Sequence, residues 1–203
     1  ILDKLHSEPG KKLLDIGSGW GTLIITAAQE YGLETYGVTL SEEQYAFTNQ
    51  RIQELGLQDK VHVMLRDYRD VDMTFDYITS VGMFEHVGKE NLGEYFKDVA
   101  NYLVPNGRAL IHGITGQHYG AGVDPFIQKY IFPGGYIPNI AENVTHIMEA
   151  GMQLDDIEPL RRHYQKTLET WTENYHAVYD KTVAERGEAF ARAWDLYLQG
   201  SAA

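Results

Sequence analysis

The chain has 203 residues, no cysteine and a formal net charge of −12. A length of about 200 residues suits one α/β domain with a sizeable core. The acidic balance argues against nucleic acid as the main partner and against simple electrostatic adsorption to anionic lipid, although a lipid can still enter an apolar pocket. The lack of cysteine excludes disulfides and thiolate chemistry within the chain and is in keeping with a cytoplasmic location.

Short apolar runs alternate with helical patterns in the first half of the chain. They predict strands at 12–16, 35–40, 61–65, 75–81 and 108–114, with helices at 20–31, 41–55 and 89–103. Ser41 is placed to cap the second helix, with Gln44 at the capping-box position. Pro105-Asn106-Gly107 predicts a turn before the fifth strand. This alternation predicts an α/β fold with a doubly wound, mostly parallel sheet.

The pattern changes after the fifth predicted strand. Residues 115–139 are rich in glycine, proline and aromatic residues without a clear period, which predicts a packed lid. Its aromatic residues are Tyr119, Phe126, Tyr130, Phe132 and Tyr136. A mostly helical, substrate-side region is predicted over 140–203, with a helix at 140–150 and a short strand at 154–160. Its apolar stripe favours core packing and comprises Leu168, Trp171, Tyr175, Val178, Phe190, Trp194 and Leu198. A single domain is expected across 1–203.

A glycine turn follows the first predicted strand, at Gly17, Gly19 and Gly21. A dinucleotide fingerprint would place its third glycine where Thr22 stands and an acidic residue where Thr39 ends the second strand. Nicotinamide and flavin cofactors are therefore disfavoured. Bare backbone N–H groups in such a turn suit a small ligand with a carboxylate, such as the methionine part of S-adenosylmethionine, and Asp15 can meet its ammonium group. The alternative is that the glycines serve tight packing only.

A carboxylate stands just past the fourth predicted strand, at Glu85. Ligands of open α/β sheets bind at the carboxyl ends of the strands, so this group and the cofactor are expected at one edge. The alternative for Glu85 is a helix-capping acid. His118, His146 and His163 have no ligand spacing, so no metal site is expected.

Six segments resemble successive motifs of the cyclopropane fatty acid synthase family of methyltransferases. They are residues 14–23, 37–44, 66–70, 75–88, 130–138 and 163–171. The glycine turn is shared by many methyltransferases, whereas 81–88 and 130–138 are far more specific to this family. The resemblance covers nearly the whole chain in order and implies a Rossmann-like class I methyltransferase fold.

The resemblance also implies how S-adenosylmethionine is held. By position, the glycine turn corresponds to the contacts with the methionine end of the cofactor. The contacts with its ribose and adenine correspond to Thr39, Gln44, Asp67 and Tyr68. Thr39 and Gln44 correspond to the ribose contacts. Asp67 and Tyr68 correspond to the adenine contacts, because a carboxylate accepts from an exocyclic amine and a ring packs against a base. For Tyr68, ordinary packing at the sheet edge is the alternative.

The reaction implied by the resemblance is methyl transfer to the double bond of an unsaturated phospholipid acyl chain. Loss of a proton from the new methyl group then closes a cyclopropane ring, and a bound bicarbonate is the base. Its cage corresponds to Glu85, His112, the backbone N–H of Ile114 and Tyr164. Glu85 can accept from bicarbonate, and the other three can donate. His112 as a satisfied core histidine and Tyr164 as a phenol bonded to backbone are the alternatives.

Family members carry an N-terminal region, with a cysteine that helps to hold bicarbonate, and a last strand near the C-terminus. This sequence shows neither feature. The chain is therefore expected to be truncated at both ends and inactive or weakly active alone. Transient contact with a membrane surface is expected, and a homodimer is compatible with the sequence. The rival hypotheses are a methyltransferase that makes a methyl-branched fatty acid or N-methylates a small amine, and a non-catalytic cofactor-binding or interaction domain.

Overall fold

The computed structural model describes residues 1–118 and 123–202. The chain divides into two compact units. Unit 1 comprises Ile1–Gly122 and Tyr136–Gln153, and unit 2 comprises Val123–Gly135 and Leu154–Ala203. Tyr119, one of the aromatic residues of the predicted lid, lies outside the described residues. The single domain expected across 1–203 stays a prediction.

Unit 1 contains a parallel sheet, which in the described residues has five strands. They are β1 (Lys12–Ile16), β2 (Glu34–Thr39), β3 (Val61–Leu65), β4 (Phe75–Val81) and β5 (Leu103–His112). The strand order is β3-β2-β1-β4-β5, and every neighbouring pair is parallel. The order reverses between β1 and β4, which is where doubly wound sheets bind ligands. The predicted fold class is confirmed.

The helices of the described residues follow the strands in chain order. They are α1 (Thr22–Tyr31), α2 (Glu42–Glu54), α3 (Leu92–Tyr102), α4 (Pro125–Tyr130), α5 (Ile140–Glu149), α6 (Arg161–His176), α7 (Tyr179–Arg186) and α8 (Glu188–Ala202). Ser41 caps α2 as predicted, because its Oγ accepts from the Gln44 N–H at 3.2 Å. No helix in this part of the chain combines the length and apolar character needed to cross a membrane.

Both faces of the sheet are buried under helices. On one face Leu14, Phe75 and Ile78 pack in one cluster with Tyr95 and Phe96 of α3. On the other face the buried side chains of α1 and α2 pack against β3, in a cluster of Ile24, Ile25, Ala28, Ile52, Val61 and Val63. Strands buried on both faces explain why the sequence shows near-continuous apolar runs instead of alternation.

Two predicted strands differ from the structure by more than one residue at an end. The fifth was expected at 108–114, but β5 already begins at Leu103 and contains the predicted turn: Asn106 has a φ of 66°. The pairing shifts there, from Phe75 with Leu103 to Tyr77 with Arg108. The strand expected at 154–160 is wrong, because those residues form no strand. Pro159 lacks an N–H, and Ile157 is 49% exposed, so this segment has no burial to gain from pairing.

Unit 2 is helical and has its own small core. Leu168 of α6 and Tyr197 and Leu198 of α8 are buried there. The predicted core stripe is confirmed at Leu168 and Leu198, but Trp171, Val178 and Phe190 are 46%, 47% and 47% exposed. Helical spacing alone therefore overstated how much of the stripe is packed within this unit.

Part of the predicted lid is helical, because it contains α4. Asp124 caps this helix, and its Oδ1 accepts from the Phe126 N–H at 2.8 Å.

Candidate functional site

The glycine turn connects β1 to α1 through three left-handed residues. Gly17, Gly19 and Gly21 have φ values of 81°, 54° and 78°, which other residues rarely adopt. A Cβ on Gly21 would also lie 2.4 Å from Cγ2 of Thr48, whereas a Cβ on Gly19 would meet nothing within 4 Å. Gly21 is therefore required for packing as well as for conformation, and Gly19 leaves open space for a ligand beside the backbone.

Part of the turn's backbone is bonded within the protein. The amides of Gly17 and Ser18 both donate to the carbonyl of Val38, at 3.1 and 2.9 Å, and the Gly21 amide donates to the Ser18 carbonyl at 3.0 Å. These three N–H groups are therefore not bare, in contrast to the expectation from the sequence. The first two fix the turn against the end of β2, and the third closes the turn on itself. Contact of Gly17 and Gly21 with a cofactor stays a prediction.

Asp15 is buried in the middle of the sheet, between β2 and β4. Its Oδ1 accepts from the Thr79 hydroxyl at 2.7 Å. Burial raises the pKa of Asp15 from 3.8 to about 6, against the opposing effect of the Thr79 hydrogen bond. Since burial disfavours the charged form and a nearby cation favours it, this carboxylate suits an ammonium partner.

Thr39 and Gln44 meet at the carboxyl end of β2, and their contact with a ribose stays a prediction. The Thr39 hydroxyl donates to Oε1 of Gln44 at 2.7 Å and accepts from the Ser41 N–H at 3.2 Å. This arrangement orients the Gln44 amide and keeps its two side-chain N–H donors away from Thr39. The pair can therefore present hydrogen-bond donors to hydroxyl groups.

Asp67 and Tyr68 follow β3, but the Asp67 carboxylate already has a partner. Its two oxygens accept from Nε and Nη2 of Arg69, at 2.9 and 2.7 Å, and this interaction lowers the pKa of Asp67. Tyr68 is half-buried with its ring edge-on to Tyr95, at 5.6 Å between centroids. The bidentate Arg69 pair was not foreseen from the sequence, and the adenine contacts stay a prediction.

Glu85 lies in the 3₁₀ turn Phe84–His86, just past β4, and is 8% exposed. Its Oε1 accepts from the Ile114 N–H at 2.7 Å, so the N–H expected to face bicarbonate is directed at Glu85. The Oε2 atom is buried and has no hydrogen-bond partner among the described residues. Ile114 thus orients the carboxylate, and its own role toward bicarbonate stays a prediction.

His112 ends β5, two residues before the Ile114 N–H that bonds to Glu85. It pairs with Val81 in the ladder, and its carbonyl accepts from the Gly82 N–H at 2.8 Å. Its Nδ1 is buried and, in the part of the chain that the structure describes, has no hydrogen-bond partner. Buried polar atoms are nearly always hydrogen-bonded, so unpartnered atoms on the ends of two adjacent strands mark a place for a polar ligand.

Close packing fixes the strand end that carries these groups. A Cβ on Gly113 would lie 1.9 Å from Cε1 of Phe84, whose ring is buried. Only glycine therefore allows the β5 end to pass over the residue that precedes Glu85. This contact joins the two loops that follow β4 and β5.

Tyr164 belongs to unit 2, where it lies on α6. The residue is 39% exposed, and its ring meets that of Trp171 edge-on, with the centroids 6.2 Å apart. Its predicted place beside Glu85 and His112 stays a prediction. Among the described residues, no group of three or more His, Cys, Asp or Glu side chains could hold a metal ion.

The sequence model of the family described as mycolic acid cyclopropane synthetase matches residues 1–203. The chain belongs to this family. It is 43% identical over 206 residues to a probable fatty acid methyltransferase of Pseudomonas putida, covering 98% of this chain and 52% of the relative. It is 38% identical over 202 residues to the cyclopropane-fatty-acyl-phospholipid synthase of Escherichia coli K12, covering 100% of this chain and 52% of the relative. The chain thus spans about half the length of these curated relatives.

Solved structures of the family share the fold over nearly all of the chain. The cyclopropane synthase MmaA2 of Mycobacterium tuberculosis superposes with a TM-score of 0.89 at 31% identity, covering 99% of this chain and 75% of that one. The mycolic acid cyclopropane synthase CmaA1, complexed with SAH and CTAB, gives the same values. Phosphoethanolamine N-methyltransferase 2 of Haemonchus contortus, at 22% identity and a TM-score of 0.80, covers 99% of this chain and 46% of its own and shares the fold alone. The fold is that of class I S-adenosylmethionine-dependent methyltransferases.

Proposed function

We propose that this chain forms the methyl-transferring part of an enzyme that converts the double bond of an unsaturated phospholipid acyl chain into a cyclopropane ring. The observation that carries the proposal is the pair of buried, unpartnered atoms Glu85 Oε2 and His112 Nδ1 beyond the carboxyl ends of β4 and β5 in a methyltransferase sheet. Membership of the cyclopropane synthase family supports the same chemistry. The proposal includes transient contact with a membrane surface, because the acyl chains of phospholipids lie there.

The residues beside the glycine turn fit S-adenosylmethionine. When bound, this cofactor supplies the electrophilic methyl group. Asp15 would face the ammonium group, where a cation would restore the ionised form that burial disfavours. Thr39 and Gln44 would bind the ribose hydroxyls. The structure of CmaA1 with SAH supports a cofactor of this kind in the family.

The residues beyond β4 and β5 fit bicarbonate. This ion has both an O–H donor and acceptor oxygens, and it would supply a proton acceptor. Glu85 Oε2 can accept its O–H, while His112 can donate to one of its oxygens from Nδ1. Because the Ile114 N–H holds Oε1 at 2.7 Å, the carboxylate cannot turn both oxygens away, and Oε2 keeps its direction. Glu85 would thereby draw the ion's proton toward itself and strengthen the base.

A second product is favoured by one observation: the relative at 43% identity is named a probable fatty acid methyltransferase, and the cyclopropane synthase relative is 38% identical. Methyl branching starts with the same methyl transfer to an alkene but ends without ring closure. The same Glu85 and His112 would serve either outcome, so only the product distinguishes the two.

Mass spectrometry of lipids from cells expressing the full protein tests the proposal. We expect phospholipids that gain one CH₂ and lose the alkene, and a rate that falls when bicarbonate is removed from the purified enzyme. Glu85→Gln should lower turnover about 100-fold, since one lost electrostatic contact at a reacting centre costs that much. The exposed Glu90→Gln is the matched control and should keep wild-type turnover.

Two results would count against the proposal. A gain of CH₂ as a branch, with a double bond retained in place of the ring, would favour the fatty acid methyltransferase alternative. Unchanged lipids in cells that contain folded protein, with methylation of an amine in their place, would show that the acceptor is not an alkene.

A further inference from the structure

Tyr136 joins the segment before α5 to the turn that carries Glu85. Its backbone N–H donates to the Glu85 carbonyl at 3.0 Å. Its hydroxyl donates to Oε2 of Glu142 at 2.7 Å, and Nζ of Lys89 lies 5.7 Å from its ring centroid. The ring packs against the same apolar cluster that contains Phe84. One residue thus contacts the turn that carries Glu85, the helix α5 and the core.

The Glu85 turn is held at two points. The Ile114 N–H fixes the carboxylate, and the Tyr136 N–H fixes the backbone carbonyl. Holding both ends of one residue restricts its rotation as well as its position. A carboxylate whose second oxygen must stay aimed at a ligand needs this restriction, because misplacement of a reacting group by about 1 Å can cost about 100-fold in rate.

The Tyr136 side chain helps to position the Tyr136 N–H. Residues 135–138 form neither a helix nor a strand, and the Pro138 carbonyl accepts from the Gly116 N–H at 2.8 Å, which fixes one end of this segment. The ring and hydroxyl of Tyr136 supply a second fixed point, closer to its N–H. The acceptor is itself held, because Glu142 lies in the first turn of α5, where its N–H donates to Oδ1 of the N-cap Asn139 at 2.9 Å.

We propose that Tyr136 is a positioning residue for Glu85, acting through its hydrogen bond to Glu142 and its backbone contact with the Glu85 turn. This inference rests on the function proposed above for Glu85. Tyr136 contacts neither cofactor nor substrate in this role. Partial burial and the Glu142 contact raise the pKa of Tyr136 to about 12, so at neutral pH the phenol is protonated and donates.

The test is Tyr136→Phe in the full protein, which keeps the ring and removes the hydroxyl. Hydrogen–deuterium exchange of the peptide that contains Ile114 reports on the Glu85 contact, because that amide is bonded to the carboxylate. We expect exchange there to become about five- to tenfold faster, the effect of losing one hydrogen bond. We expect kcat to fall by a similar factor while the KM for S-adenosylmethionine stays unchanged.

Tyr31→Phe is the matched control. Tyr31 also donates to a carboxylate, Oδ1 of Asp3 at 2.6 Å, and its loss should leave both exchange at Ile114 and kcat unchanged. Glu142→Gln keeps an acceptor for the phenol and should retain wild-type behaviour, whereas Glu142→Leu should reproduce the effects of Tyr136→Phe.

Exchange at Ile114 that is the same in Tyr136→Phe and in the wild type would overturn the positioning role. So would a fall in kcat of equal size in Tyr31→Phe, because it would indicate a general loss of stability. If the wild-type protein forms no lipid product, the proposed function fails, but the exchange measurement still decides whether Tyr136 holds the Glu85 turn.

Discussion

The two halves of the sheet's carboxyl edge differ in how their polar groups are satisfied. On the β1–β2 side the groups bond to one another: the Gly17 and Ser18 amides to Val38, and the Thr39 hydroxyl to Gln44. On the β4–β5 side Glu85 and His112 each keep a buried atom without a partner. The polar groups named on the first side are therefore satisfied within the protein, whereas the two named on the second side are not.

This difference has an energetic meaning. A buried polar atom without a partner costs about 1–3 kcal/mol, so the β4–β5 side lowers the stability of the folded protein. The surrounding contacts maintain this arrangement, chiefly the Ile114 N–H and the packing of Phe84 on Gly113. Such local cost is typical of sites where function outweighs stability.

The largest effect is expected on the β4–β5 side, from His112→Phe. The change removes the unpartnered Nδ1 but keeps a ring, so turnover should fall about 100- to 1,000-fold while the melting temperature stays equal or rises. Lipid turnover and thermal unfolding measure these two quantities. His62→Phe, on β3 beside Tyr36, is the control. Turnover within threefold of wild type in His112→Phe would remove the distinction between the two sides.

The next effect concerns Asp15, whose pKa is raised from 3.8 to about 6 by burial. The folded protein holds this proton more tightly than the unfolded chain, so the stabilising effect is present below a pH of about 4 and is lost as the pH rises through 6. Above that pH the ionised group costs about 3 kcal/mol. In cofactor-free protein, Asp15→Asn should therefore gain stability relative to wild type as the pH rises from about 4 to 7.

Urea denaturation over this pH range measures the difference in free energy of unfolding between Asp15→Asn and the wild type. The same variant should bind S-adenosylmethionine more weakly, because it lacks the charge proposed to meet the ammonium group. A difference in stability that does not vary with pH would show that Asp15 ionises as easily in the folded protein as in the unfolded chain.

The smallest effect separates two glycines of the same turn. Gly21→Ala should lower the free energy of unfolding by about 2 kcal/mol or more, because it combines a left-handed φ with an overlap against Thr48. Gly19→Ala meets no neighbour and should cost about 1 kcal/mol, from conformation alone. Denaturant midpoints test this order, and Thr48→Ala should recover part of the loss in Gly21→Ala. Equal costs for the two glycines would contradict the packing argument.

The sheet could be predicted closely because its signals are local. The strands at 12–16, 61–65 and 75–81 have the predicted bounds, since each is an apolar run that ends at a glycine or a polar turn. The boundaries of β5 could not be predicted in the same way. Its turn residues stay within the strand, through a shift in pairing that depends on β4.

The site could be predicted only in part. The carboxyl ends of the strands placed Glu85 and His112 at one edge, and the family resemblance placed Thr39 and Gln44 together at the ribose. The Arg69 pair of Asp67, the Ile114 N–H on Glu85 and the Tyr136 contact were missed. The last two join residues that are far apart in sequence, and each involves a backbone group, which leaves no trace in residue type.

The overlap that any side chain at Gly113 would make with Phe84 limits how this site can change during evolution. His112 and Ile114, on either side, can vary in chemistry without disturbing the fold at that point. Position 113 cannot, unless the phenyl ring beneath it is replaced by something smaller in the same step. Substitutions at this strand end should therefore fall on the neighbours of the glycine, while the glycine itself stays unchanged.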